Sequence, residues 1–186
     1  MSKIDVTPII RSHFGTLVDY SSHRLSVSDL IVFFGVPLAL SALALYVKWS
    51  FSVDALNALL SAFAIFAGLL LNLLLLVYTF SADSFQQNAL EKVRVQFVRE
   101  LHNNIAYSVL VSIVIVVVSL VAVTHIKMAE DAASATPKAS GHTGPYSTFV
   151  LVYLTANFIL TLLMVLKRIH TMMNERLERP AIRKAS

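Results

Sequence analysis

The sequence predicts an all-α integral membrane protein: a four-helix bundle with an amphipathic N-terminal helix and cytoplasmic helical extensions. Three observations point there. Four apolar stretches, roughly 30–47, 55–80, 105–126 and 148–166, contain no Asp, Glu, Lys or Arg. A helix rising about 1.5 Å per residue needs about 20 such residues to cross a hydrocarbon core of about 30 Å. The apolar fraction is 56% and the mean hydropathy +0.71, with the charges gathered between the stretches instead of spread evenly. Lys and Arg are also distributed unequally: twelve lie in 1–29, 81–104 and 167–186, and three in the two alternate connections. The positive-inside rule then places both termini and 81–104 in the cytoplasm of a multi-pass protein, expected in a bacterial inner membrane.

Residues 1–29 open the chain as a cytoplasmic segment. Thr7 and Pro8 read as an N-cap and first helical position. Ile9, Ile10, Phe14, Leu17 and Val18 then recur at helical spacing, with Arg11, His13 and Asp19 elsewhere on the wheel. This helix lies either at the membrane interface or packed beneath the bundle. Asp5 and Asp19 and the lack of a compact apolar core argue against a cleavable signal, so the first span is expected to insert the chain. That span contains Gly35 and Pro37, where a kink is expected, as a hinge or as a static bend. The short connection after Lys48 predicts an antiparallel hairpin of spans one and two, with Trp49 and Phe51 at the outer interface.

Span two is expected to run on as a cytoplasmic helix, 83–101. There Leu90, Val93, Phe97 and Leu101 form an apolar stripe, to be buried against the N-terminal helix or a neighbouring subunit. Asn103 and Asn104 read as the turn into span three. The outer segment 127–147 is small and polar and reads as an exposed linker. The tail, 167–186, is basic and helical until near Pro180.

Uncharged polar residues inside the spans are the informative ones. Asn57, Ser61, Ala64, Gly68 and Asn72 fall within roughly 80° of one another at about 100° per residue, and Thr79 lies on the same strip. Asn104, Ser108, Ser112 and Ser119 form a second strip, and Asn157 and Thr161 a short third. Such strips serve close helix packing or line a narrow neutral pore, and a pore from four spans requires a homo-oligomer. The cytoplasmic cations Lys92, Arg94, Arg99, Lys167, Arg168, Arg176 and Arg179 suit anionic lipid, or a cytosolic anion such as a nucleotide.

Other classes are disfavoured. With no cysteine, thiolate catalysis, thiolate metal sites and disulfides are excluded. The six histidines show no metal-ligand spacing, and no phosphate loop, nucleophile elbow or paired catalytic carboxylates occur. No ionisable residue lies deep in a span, where coupled transport needs one. Neither an enzyme, a cofactor nor sequence-specific nucleic-acid binding is expected.

Residues 68–80 (GLLLNLLLLVYTF), the charged helix after them and 103–112 (NNIAYSVLVS) resemble small four-span membrane effectors of bacterial antiviral operons, of the Hailong type, over about 29–126. The resemblance implies an oligomeric, channel-like effector that depolarises the membrane, held off by the product of a partner nucleotidyltransferase. It assigns no pore or ligand residue. The reading from a different class is a non-conducting scaffold or sensor that docks a cytosolic partner through 81–104 and the tail.

Overall fold

A computed structural model describes residues 5–15, 27–83, 91–132 and 141–183, with side chains at 5–15, 31–79, 98–129 and 141–170. The described residues form five helices: α1 (Thr7–Gly15), α2 (Val27–Tyr46), α3 (Val53–Asp83), α4 (Glu91–Ala132) and α5 (Pro145–Arg183). Three carry stretches long and apolar enough to cross a membrane: Val53–Thr79, Val98–Ala129 and Pro145–His170. The described apolar part of α2, Ile31–Tyr46, is shorter.

Helix ends follow local chemistry. The Asp5 carboxylate, not Thr7, takes the first orphan donor of α1, accepting the Thr7 N–H at 3.0 Å. α2 closes in a Schellman motif: Trp49 N–H donates to Ala44 O (2.8 Å) and Lys48 N–H to Leu45 O (3.0 Å). Lys48 supplies the left-handed residue this requires, at φ 55°. Ser52 caps α3 by accepting the Ala55 N–H at 3.3 Å.

α4 is the central helix. It packs on α3, α5 and α1, while α5 packs on α2. The seam of α3 repeats every seven residues through Leu56, Phe63, Leu70 and Val77, all buried. α4 buries Leu101, Ile105, Ser108, Ser112, Ile115, Ser119, Ala122 and Ile126, in alternating steps of four and three. This 3.5-residue repeat is the pattern of left-handed helix packing, and its serines let backbones approach.

Several expectations are corrected. α2 does not pack on α3 among the described residues; its buried Phe33, Pro37, Ser41 and Ala44 belong to a helix that packs on α5. The small Pro37, Ser41 and Ala44 suit that close approach. α2 stays helical through Pro37, as a bent helix also would, and Ser41 Oγ donates to Pro37 O at 2.7 Å. The helix over 91–101 is continuous with 105–126 instead: α4 is one helix from Glu91 through Asn103 and Asn104. Asparagine costs under about 0.7 kcal/mol inside a helix, too little to break a long packed one. Of the expected stripe, Leu101 is buried; the side chains of Leu90, Val93 and Phe97 lie outside the described residues.

The connection 127–147 is also partly built. α4 continues to Ala132, and His142 pairs as an isolated bridge with Ser52. Thr143 N–H donates to Phe51 O, and a hydroxyl chain answers it. Phe51 N–H donates to Thr143 Oγ1 (2.9 Å), which meets Thr148 Oγ1 (2.7 Å), which donates to Gly144 O (3.1 Å). The two connections at this end of the bundle are thereby tied together.

Candidate functional site

The strip on α3 lies on the outside of the protomer. Asn57, Ser61, Ala64, Gly68 and Asn72 are all exposed, on the face away from the seam of Leu56, Phe63, Leu70 and Val77. Among the described residues, the side chains of Asn57, Ser61 and Asn72 make no hydrogen bond within the chain. Asn57 and Asn72 stand about 22 Å apart along the helix at 1.5 Å per residue, so the strip covers most of a bilayer core. A Cβ added at Gly68 meets nothing within 4 Å.

That open space makes Gly68→Leu a clean probe. The substitution is expected to leave the protomer's fold intact, because no atom of the chain is displaced. If a second copy covers the strip, overfilling it should shift the particle toward smaller species, at a cost of about 1–3 kcal/mol. Light scattering and a thermal melt in detergent check this; unchanged mass would mean that no neighbour packs there.

The strips of α4 and α5 are the opposite case. Asn104, Ser108, Ser112, Ser119 and Thr161 are fully buried and Asn157 nearly so. Half of the six satisfy themselves on their own helix: Ser108 donates to Asn104 O (2.9 Å), Ser112 to Val109 O (2.8 Å) and Thr161 to Asn157 O (2.9 Å). Ser119 Oγ is buried without a partner among the described residues. These residues pack within the chain, so of the three strips the one on α3 is the one left facing outward among the described residues.

A second constellation, which the sequence reading missed, closes the end of the bundle where α1 sits. His13 was assigned to the polar side of α1, yet it is fully buried, while Arg11 and Ser12 are exposed. Its Nδ1–H donates to Asn104 Oδ1 at 2.9 Å. Its ring stacks parallel on Tyr107 of α4 at 3.9 Å and meets Phe33 of α2 at 5.2 Å. Tyr107 OH in turn donates to Asn157 Oδ1 of α5 at 2.9 Å. One imidazole thus touches or is relayed to four helices. Burial pushes its pKa down to about 4, against the opposing effect of the Asn104 bond, with Arg168 adding to the depression. The signal available in the sequence was the pairing of one histidine with Asn104 and Tyr107 a turn apart, which only the tertiary placement of α1 brings together.

The basic residues divide. Arg168 of α5 is engaged in an ion pair with Glu100 of α4, so it is not a freely available anion site. Arg99 and Lys167 are exposed nearby on the same two helices. Lys92, Arg94, Arg176 and Arg179 fall on α4 and α5, with side chains outside the described residues. At the other end of the bundle, His125 and His142 line one cavity of about 180 Å³ with Thr143 and Ser147. No cluster of three metal-ligating side chains occurs among the described residues. No family model, curated protein or solved structure matches this chain.

Proposed function

We propose that copies of this chain assemble into a homo-oligomeric, ion-conducting pore gated from its cytoplasmic side. One observation carries the reading: α3 presents an unpartnered polar strip on the outside of the protomer. An amide left in hydrocarbon without a partner costs about 4–8 kcal/mol, so two asparagines facing lipid are untenable. Copies of α3 arranged about an axis would place the strip in water or against a neighbour and remove that cost. The seam of α3 already packs on α4, which leaves the strip free for this use.

In this reading α2 is the fourth span. Its 20 residues reach about 30 Å, and its packing on α5 places it alongside a helix that carries a span. Both termini then lie in the cytoplasm of a bacterial cell, the orientation that the distribution of Lys and Arg favours. Protease added outside intact cells should cut a site inserted in 131–144 and spare tags at residues 1 and 186. Cleavage at either tag would refute the topology. The α1 end, with Arg99, Lys167, Arg176 and Arg179, faces the cytoplasm and is the place for a phosphate-bearing ligand or partner protein to act. Together with the resemblance to antiviral membrane effectors, this assigns the pore to depolarisation of the infected cell.

Purified protein in lipid vesicles is expected to release entrapped potassium, with a rate altered by nucleoside triphosphate on the α1 side. A folded oligomer that passes no ions with or without such ligands would leave the scaffold reading in its place.

A further inference from the structure

The N-terminal helix has no covalent need to sit where it does. Its nine residues are too few to hold helical structure alone, so its order derives from the surface on which it docks. That surface is centred on one side chain. His13 is the only fully buried residue of α1, and it fills the junction between Phe33, Asn104 and Tyr107. Phe14 adds a ring contact to Phe34 of α2 at 5.7 Å. α2 otherwise packs only on α5 among the described elements, so α1 is what joins its inner end to the central helix α4.

We propose that α1 is a latch: docking of His13 between α2 and α4 holds the inner ends of the spans together, and undocking of α1 is the step that frees them. Its consequence for conduction rests on the pore reading; the docking itself does not.

The chemistry of the junction makes the latch sensitive to acid. The ring fits as a neutral donor, sandwiched against Tyr107 and bonded to an amide oxygen. Among the described residues the groups that bear on it are Arg168 of α5, paired with Glu100 of α4, and the phenol of Tyr107, itself near Tyr153 of α5, while Phe33 meets it from α2; the side chain of Asp29, one turn before Phe33, lies outside the described residues. A cation there would be desolvated beside a guanidinium. The sign follows: with the docked pKa near 4 against an ordinary 6.5, docking is complete above 6.5 and weakens as pH falls toward 4. At pH 5 these two values imply docking weakened about thirtyfold.

Hydrogen–deuterium exchange on the full chain in lipid nanodiscs tests this. At pH 7 the amides of 7–15 should be protected. At pH 5, after correction for intrinsic exchange, their protection should fall about twentyfold from its value at pH 7 while 105–126 stays unchanged. His13→Ala should lose α1 protection at both pH values. His13→Gln, which keeps a donor for Asn104 and cannot titrate, should give the same protection at pH 7 and pH 5. Wild-type α1 that is unprotected at pH 7, or equally protected at both, overturns the latch, as does a His13→Gln chain that retains the full pH response. In vesicles, undocking should raise potassium release. A conducting protein whose flux ignores undocking refutes the release step. Protein that never conducts refutes the pore reading and leaves the exchange result standing.

Discussion

Asn72→Leu is expected to abolish potassium release from vesicles while the protein stays folded, oligomeric and in the membrane. Asn72 is exposed on α3 and its side chain makes no hydrogen bond among the described residues, so its replacement breaks none there. The span also becomes easier to insert, since leucine is favourable at membrane depth. What changes is the wall of the conduit. An amide holds water through donors and an acceptor, and a ring of leucines at one level excludes water and closes a narrow neutral pore by dewetting. The strip has few polar groups in reserve near that level, since Gly68 offers no side chain and the next polar neighbour toward the chain's outer end is Ser61. Leu69→Ile, also on an exposed part of α3, serves as the control and should leave flux unchanged. Undiminished flux through Asn72→Leu oligomers would show that this face does not line the path.

Much of the fold was legible because the membrane imposes a strong rule. Uncharged apolar runs of the needed length are rare unless they span, so α3, α4 and α5 could be read directly. The seven-residue repeat of Leu56, Phe63, Leu70 and Val77 was equally present in the sequence, but in a run of leucines it is masked by apolar residues on every other face. Helix pairing was not legible. Lipid does not drive helices together by hydrophobicity, so partner choice rests on small-residue fit, and Pro37, Ser41 and Ala44 suit α5 as well as they would any neighbour. The extension 91–101 was attached to the wrong span because nothing local marks Asn103 and Asn104 as the interior of a helix rather than a turn. His13 was misplaced for a related reason: on a short helix the polar side is defined by composition, and a buried histidine bonded to an asparagine looks polar until its partner is known. The strips were found as strips, but which faced inward depended on packing. Ser108, Ser112 and Ser119 went to the seam of α4, whereas Asn57, Ser61 and Asn72 stayed outside.

Phe158→Ala is expected to cost about 2–4 kcal/mol of stability, the largest effect of any single truncation in the bundle. Phe158 of α5 is 2% exposed. Its ring meets Phe63 of α3 edge-on at 5.0 Å and 75°, and Phe66 at 5.6 Å. No close backbone approach joins α3 to α5 among the described residues, and this aromatic trio reaches across between them. In a soluble core the same truncation costs about 3–5 kcal/mol, part of which is transfer of the ring from water. Between membrane helices that part is reduced, because the alternative environment is lipid rather than water. Two lost ring pairs, at about 0.5–1.5 kcal/mol each, and the cavity left behind remain. Reversible unfolding in mixed micelles should therefore show the full loss for alanine and a smaller one for Phe158→Leu, which fills much of the volume. Equal stabilities for alanine and phenylalanine would mean that α4, which packs on both α3 and α5, holds the two helices without help from the trio.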